Sequence, residues 1–380
     1  MITFNDLERY MQSVCDDPIL HVPGMDLCVY HKRKQVYRHY CGYRDLENGI
    51  PVNGDELYFV FSCTKFITCV AALTLYEKGV YSLNDPVYKY IPEWKNVKYR
   101  DENGDLKNIG TPVTIGQLFE MTGGLSYNLQ AECIKEAQKK TNGKCPTIEF
   151  AKAFAAEPLV HQPDECWDYG LGHDILAALI EVWSGKKYSE YVNEVIFKPL
   201  GMKNSYYRMT YEIKSRMAQE YIKSDDDCSS KNMNFQIEYV LGSEYESGGA
   251  GLISCTEDLM KFLEGVSSYK ILKKATVDLM STPRLSESQR KIYKTWRGKE
   301  NYNYGLGVRV KTSCGGEADS FSCGEFGWDG TAGSYLSISP KDELCVVYMQ
   351  HQRMPQGNAG RERILNMLML ALKNEGILEK

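Results

Sequence analysis

Apolar positions at Phe4, Leu7, Tyr10, Met11 and Val14 recur with helical spacing and predict a helix over residues 3–15, capped by Thr3 or Asn5. The pattern then turns β-branched and aromatic. Leu27-Cys28-Val29-Tyr30 and the stretch from Gln35 to Cys41 predict a hairpin with His31-Lys32-Arg33-Lys34 as its exposed turn. An apolar run through Leu73 predicts a helix that opens at Ser62 and ends at Gly79. Leu83-Asn84-Asp85-Pro86 and Ile91-Pro92-Glu93-Trp94 then read as an extended crossing segment. From there to about residue 240 the spacing is mostly helical, clearest over Thr114 to Met121 and Gly172 to Trp183. Polar loops fall at Gln138 to Lys144 and Ser224 to Lys231. Strand patterning returns at Tyr304 to Val310, Gly333 to Ser339 and Glu343 to Met349, which read as a meander, before a final helix over Arg361 to Leu372.

Early and late strands around a helical middle predict an α/β fold in two lobes. Residues 1–85 and 240–380 form a discontinuous α/β lobe, residues 86–239 a mostly helical one, and a site lies between them. The 380 residues support this division, because single cores stop growing near about 250–300 residues.

Charge and composition narrow the function classes. A net charge of −5 with interspersed signs leaves no basic stripe for nucleic acid. No apolar stretch approaches the roughly 18 residues needed to span a bilayer. The first residues lack a basic start followed by an apolar run, so a cytoplasmic protein is expected. The thirteen cysteines, with no Cys-x-x-Cys pair, read as small core residues in a reducing compartment rather than as zinc ligands.

The candidate chemistry centres on Ser62-Cys63-Thr64-Lys65. Three residues apart at a helix start, the Ser62 hydroxyl and the Lys65 amine share one face, and the helix N-terminus favours developing negative charge. The blander reading is a serine N-cap. Cys63 turns about 100° off that face and reads as inert packing. Tyr169, in Cys166-Trp167-Asp168-Tyr169-Gly170-Leu171-Gly172, sits in a glycine-rich turn that presents a phenol to a cleft, against the alternative of a half-buried packing residue. Phe326-Gly327-Trp328-Asp329-Gly330-Thr331-Ala332-Gly333-Ser334 is a glycine-rich approach to a strand, or else simply a hairpin. Its Thr331 backbone N–H pairs with that of Ser62 as a candidate oxyanion hole.

In this order the three segments resemble the serine β-lactamase and penicillin-binding-protein superfamily, in the branch of class C β-lactamases, D-alanyl-D-alanine carboxypeptidases and related esterases. Further matching segments are Asp85-Pro86-Val87, Thr122-Gly123-Gly124-Leu125, Ile196 to Met202 and Gly248 to Ser254. The resemblance implies an antiparallel sheet flanked by helices with an inserted helical lobe. It also implies acylation of Ser62, with Lys65 and Tyr169 as a coupled general acid and base and with neither metal nor organic cofactor. Two positions depart from the family. Leu171 stands where the second motif carries an asparagine, and Trp328, followed by Asp329 and Gly330, stands where the third carries a lysine or histidine. Both departures favour small esters over lactams and peptides, and Tyr127 and Asn128 are placed beside the substrate. The expected activity is that of an esterase or acyltransferase. The alternatives are a D-amino-acid peptidase or weak β-lactamase, and a non-catalytic binding or sensing protein.

Overall fold

The computed structural model describes residues 1–17, 21–223, 230–234, 239–298, 300–314, 321–353 and 359–379. Helix α1 (Phe4–Asp16) starts at Thr3, whose side chain accepts from the Asp6 N–H while the Asp6 carboxylate accepts from the Thr3 N–H. Strands β1 (Gly24–His31) and β2 (Lys34–Asp45) form the expected hairpin around Lys32 and Arg33, both left-handed at φ +50° and +65°. A short β3 (Ile50–Pro51) follows, then α2 (Thr64–Glu77) and α3 (Gly172–Ser184). The C-terminal part supplies α4 (Glu287–Arg297), β4 (Tyr302–Tyr304), β5 (Arg309–Lys311), β6 (Phe326–Asp329), β7 (Tyr335–Ser339), β8 (Leu344–Gln350) and α5 (Ala359–Asn374).

Early and late strands lie in one antiparallel sheet of order β4-β5-β6-β7-β8-β1-β2-β3. Side chains alternate between its faces. Leu27, Val29, Val346 and Tyr348 pack under α1 and α5 with Leu7, Met11, Ile364 and Leu368. Cys28, Leu336 and Val347 point the other way, into a core shared with α2 and α3. At about 1.5–3 kcal/mol per buried apolar side chain, both faces contribute. The second core runs unbroken from Tyr58 through Trp94, Ile175 and Phe326 to Met349, so the helical middle and the sheet share one interior.

Several local expectations are corrected. Tyr304 to Val310 is not one strand. The Gly305 N–H donates to the Val308 carbonyl, and the chain folds back there to pair β4 with β5. The glycine-rich stretch before Gly330 is itself the strand β6, with the turn at residues 330–334. Within the middle, Lys98–Arg100 and Leu106–Asn108 form a small hairpin, and the polar residues 138–140 continue a helix. Of the predicted polar loop at 224–231, residues 224–229 lie outside the described residues. Cys314 and Cys323 form a disulfide that the reading of the cysteines as core thiols did not anticipate.

Candidate active site

Ser62 sits in a single 3₁₀ turn, Phe61–Cys63, which runs directly into α2. Its hydroxyl caps neither helix, which removes the blander reading of the serine. Phe61, just before it, is held at φ +47°, a conformation that costs a non-glycine residue on the order of 1–3 kcal/mol. Packing fixes it there: Phe59 and Tyr239 contact the Phe61 ring edge-on, and the Arg353 guanidinium lies over it. Behind the turn, Cys63 is fully buried, and its thiol points at the Trp328 carbonyl (3.6 Å) and Ser334 Oγ (3.4 Å). Burial pushes that thiol up to about 12, so it stays protonated.

Lys65, one turn along, is 0% exposed, and its Nζ donates to Ser62 Oγ (3.2 Å) and to the Gly249 carbonyl (2.8 Å). Lys65 Nζ also lies 4.7 Å from the Tyr169 ring centroid and 5.4 Å from that of Tyr127. The Gly249 carbonyl is aimed by the buried Asp174 on α3, which accepts from the Gly249 N–H (3.2 Å), Ser247 Oγ (2.6 Å) and Tyr245 OH (2.7 Å). Gly249 must be glycine, since a Cβ there would strike Asp174 Oδ2 and reach within 3.4 Å of Lys65 Nζ. Beside Asp174, burial first and Lys65 second hold His173 well below the usual imidazole range, which keeps it neutral next to the amine.

Tyr169 arrives from the turn before α3, and its hydroxyl donates to Ser62 Oγ at 2.7 Å. The turn is tied down by the Asp168 N–H to the Met121 carbonyl (2.9 Å) and the Leu171 N–H to the Ser126 carbonyl (3.1 Å). Tyr127 and Trp296 both stack on the Tyr169 ring, at 5.3 and 4.9 Å between centroids. Two groups, one from the same helical turn and one 107 residues away, therefore converge on Ser62 Oγ, with Ser62 partly open to solvent and Lys65 sealed behind it.

The strand edge completes the surroundings. Ser334 Oγ donates to the Val60 carbonyl (3.0 Å), which sets the turn after β6 against the Ser62 turn. Among the described residues, the Ser62 and Thr331 backbone N–H groups have no acceptor, and the Thr331 side chain is exposed.

Other predicted contact residues are placed differently. Leu171 is 1% exposed and packs in the core, because its backbone makes the turn into α3. Trp328 is 2% exposed; its ring lies parallel to Trp296 at 6.3 Å, and the Arg297 guanidinium is 5.5 Å from its centroid. The Asp329 carboxylate is taken up by Arg297 (2.9 Å), Arg309 (3.1 Å) and Arg361 (3.0 Å). Burial opposes its ionisation, but the three guanidiniums outweigh that and hold it below the usual carboxylate range. Gly330 is buried against Val60, and Asn128 is exposed with its amide donating to Glu157 (3.0 Å). Trp296 was missed. Its signal is faint: it follows Tyr293 by three residues on an otherwise polar helix, in which Gln289 and Tyr293 are the buried residues.

The chain belongs to the Beta-lactamase family, a family of serine hydrolases, whose pattern it matches over residues 8–368. It is 26% identical to the acyltransferase calJ of Penicillium decumbens, over 93% of this chain and 89% of that protein. Its fold matches EstCE1, a hydrolase with promiscuous acyltransferase activity, with a TM-score of 0.78 at 21% identity, over 96% of this chain and 98% of the other. It likewise matches simvastatin synthase (LovD) from Aspergillus terreus, with a TM-score of 0.80 at 21% identity and 97% coverage of each.

Proposed function

We propose that this protein is a serine esterase or acyltransferase that forms an acyl-enzyme on Ser62 from small esters. One observation carries the reading: Ser62 Oγ lies within hydrogen-bond reach of both Lys65 Nζ (3.2 Å) and Tyr169 OH (2.7 Å). As Ser62 Oγ bonds to the carbonyl carbon, its proton passes to the member of the Lys65–Tyr169 pair that is in its base form, the free amine or the phenolate. The Ser62 and Thr331 N–H groups receive the charge that develops on the carbonyl oxygen. The bond from carbon to the ester oxygen then breaks, and the pair returns the proton to the departing alcohol. Water or a second alcohol reverses these steps to release the acyl group.

The preference for esters rests on what the site lacks. Leu171 has no side-chain polar group to hold a substrate amide, and the buried Trp328 brings no cation for a substrate carboxylate. An ester needs neither. The similarity to calJ, an acyltransferase, and to EstCE1, a hydrolase with promiscuous acyltransferase activity, supports acyl transfer or hydrolysis as the reaction.

The test compares wild type with Ser62→Ala, following p-nitrophenyl acetate turnover and intact mass after a fluorophosphonate. Loss of at least about 10³-fold in kcat, together with loss of the label, is expected. Unchanged labelling of Ser62→Ala would sink the assignment of the nucleophile, and nitrocefin turnover equal to ester turnover would sink the preference for esters.

A further inference from the structure

Trp328, at the position where the family resemblance suggests a substrate contact, is closed off from solvent. Trp296 faces solvent in front of it. The indole is 49% exposed, yet it is held in a fixed pose: stacked on Tyr169 at 4.9 Å and 18°, parallel to Trp328 at 6.3 Å and 3°, and 5.0 Å from Trp167. A single exposed apolar side chain needs no explanation, but this one stacks on the ring whose hydroxyl bonds to Ser62 Oγ. Its helix is held at both ends. Ser286 and Gln289 form a capping box at the N-terminus of α4, and Gln289 Nε2 donates to the Asp164 carbonyl (2.7 Å). At the other end Arg297 binds Asp329, the residue after Trp328 (2.9 Å). One turn back from Trp296, Ile292 is 41% exposed on the same helix face, so α4 presents two apolar side chains to solvent there.

We infer that Trp296 is the platform for the alcohol portion of the substrate, and that the site selects flat apolar alcohols as leaving group or acceptor. The inference rests on the role proposed for Tyr169. The group that carries the proton must touch the alcohol oxygen, both when the alcohol leaves and when one attacks. The rings stacked on Tyr169, Tyr127 and Trp296, therefore flank the alcohol, and of the two Trp296 is the one exposed to solvent, whereas the acyl carbonyl points to the Thr331 edge. A planar ring laid on the exposed indole gains stacking as well as burial, about 0.5–1.5 kcal/mol beyond the area covered.

The experiment varies only the alcohol. Trp296→Ala and Trp296→Phe are compared with wild type on 2-naphthyl acetate and ethyl acetate, which share their acyl group, and on 2-naphthyl butyrate. In Trp296→Ala the preference in kcat/KM for 2-naphthyl over ethyl acetate falls about five- to tenfold, mostly through KM, the equivalent of about 1 kcal/mol of stacking. Trp296→Phe restores part of it. The butyrate to acetate ratio stays at the wild-type value. Equal losses on the two acetates, or a changed butyrate to acetate ratio, overturn the inference. Calorimetric binding of 2-naphthol to Ser62→Ala, with and without Trp296→Ala, separates this result from the parent reading. Weaker binding in the double variant supports the platform even where turnover does not depend on Ser62, and equal binding overturns it.

Discussion

Gly330→Ala tests the oxyanion hole at its weakest point, the junction between β6 and the Ser62 turn. A Cβ on residue 330 would lie 2.5 Å from the Val60 carbonyl oxygen and would also strike Ser334 Oγ. Ordinary contact needs roughly 3.5 Å, so the two backbones must part by about 1 Å. Neither can give easily, because Val60 is bonded to the Leu252 carbonyl through its N–H (3.0 Å) and to Ser334 Oγ through its carbonyl (3.0 Å). Overpacking of this kind costs about 1–3 kcal/mol of stability.

The larger effect falls on catalysis. Thr331 directly follows Gly330, so a shift of about 1 Å carries its N–H beyond the roughly 2.7–3.1 Å window in which a donor stabilises an oxyanion. Loss of one such donor lowers kcat by about 10²–10³-fold. The assay is p-nitrophenyl acetate turnover beside a thermal melt and fluorophosphonate labelling. The expected variant is folded, melts a few degrees lower and is acylated far more slowly. A variant that melts lower but keeps kcat within about threefold of wild type refutes the assignment of Thr331, because the junction has then moved with no effect on the chemistry.

Two further outcomes follow from the same geometry. Tyr169→Phe keeps the ring stacked between its aromatic neighbours and deletes only the hydroxyl 2.7 Å from Ser62 Oγ; kcat on p-nitrophenyl acetate should fall about 10²–10⁴-fold with a melting temperature near wild type, and a loss below tenfold would count against the proton transfer. Asp329→Asn leaves Arg297, Arg309 and Arg361 without their shared carboxylate and should cost about 3–5 kcal/mol at pH 7. Because the folded-state pKa of Asp329 is lowered, its contribution is complete above the unfolded value of about 3.9 and is lost as pH falls below it. Denaturant melts from pH 7 towards pH 3 should therefore show the gap between wild type and variant narrowing; a gap that widens on acidification contradicts the charge argument.

What could be read from sequence was what is written locally. The stripe of α1, the hairpin of β1 and β2 and the helix α3 follow from spacing over a few residues. The Ser62 and Lys65 pair lies within one turn and was legible for the same reason. Burial decided the rest, and burial is set by partners far along the chain. Trp328 and Trp296 are chemically alike, and which of them meets solvent depends on how α4 lies across β6, a packing fixed by Arg297 and Asp329 at a separation of 32 residues. Asp329 looked available because its three arginines come from α4, β5 and α5. Tyr304 to Val310 alternates like a strand, but a turn inside it reverses the chain.

Hydrolysis and acyl transfer share every atom of the proposed site, so Ser62, Lys65 and Tyr169 do not decide between them. The decision belongs to whatever occupies the space beside the Tyr169 hydroxyl once an acyl group is on Ser62. Water is present at about 55 M, so an alcohol at millimolar concentration competes only if binding raises its effective concentration by several powers of ten. That gain must come from groups that hold the alcohol and not the water. Polar side chains hold both, whereas an aromatic face holds only the alcohol. Trp296, half-exposed against Tyr169, is such a face, so the ratio of transfer to hydrolysis should track the surface a given alcohol can lay on that indole rather than its acidity.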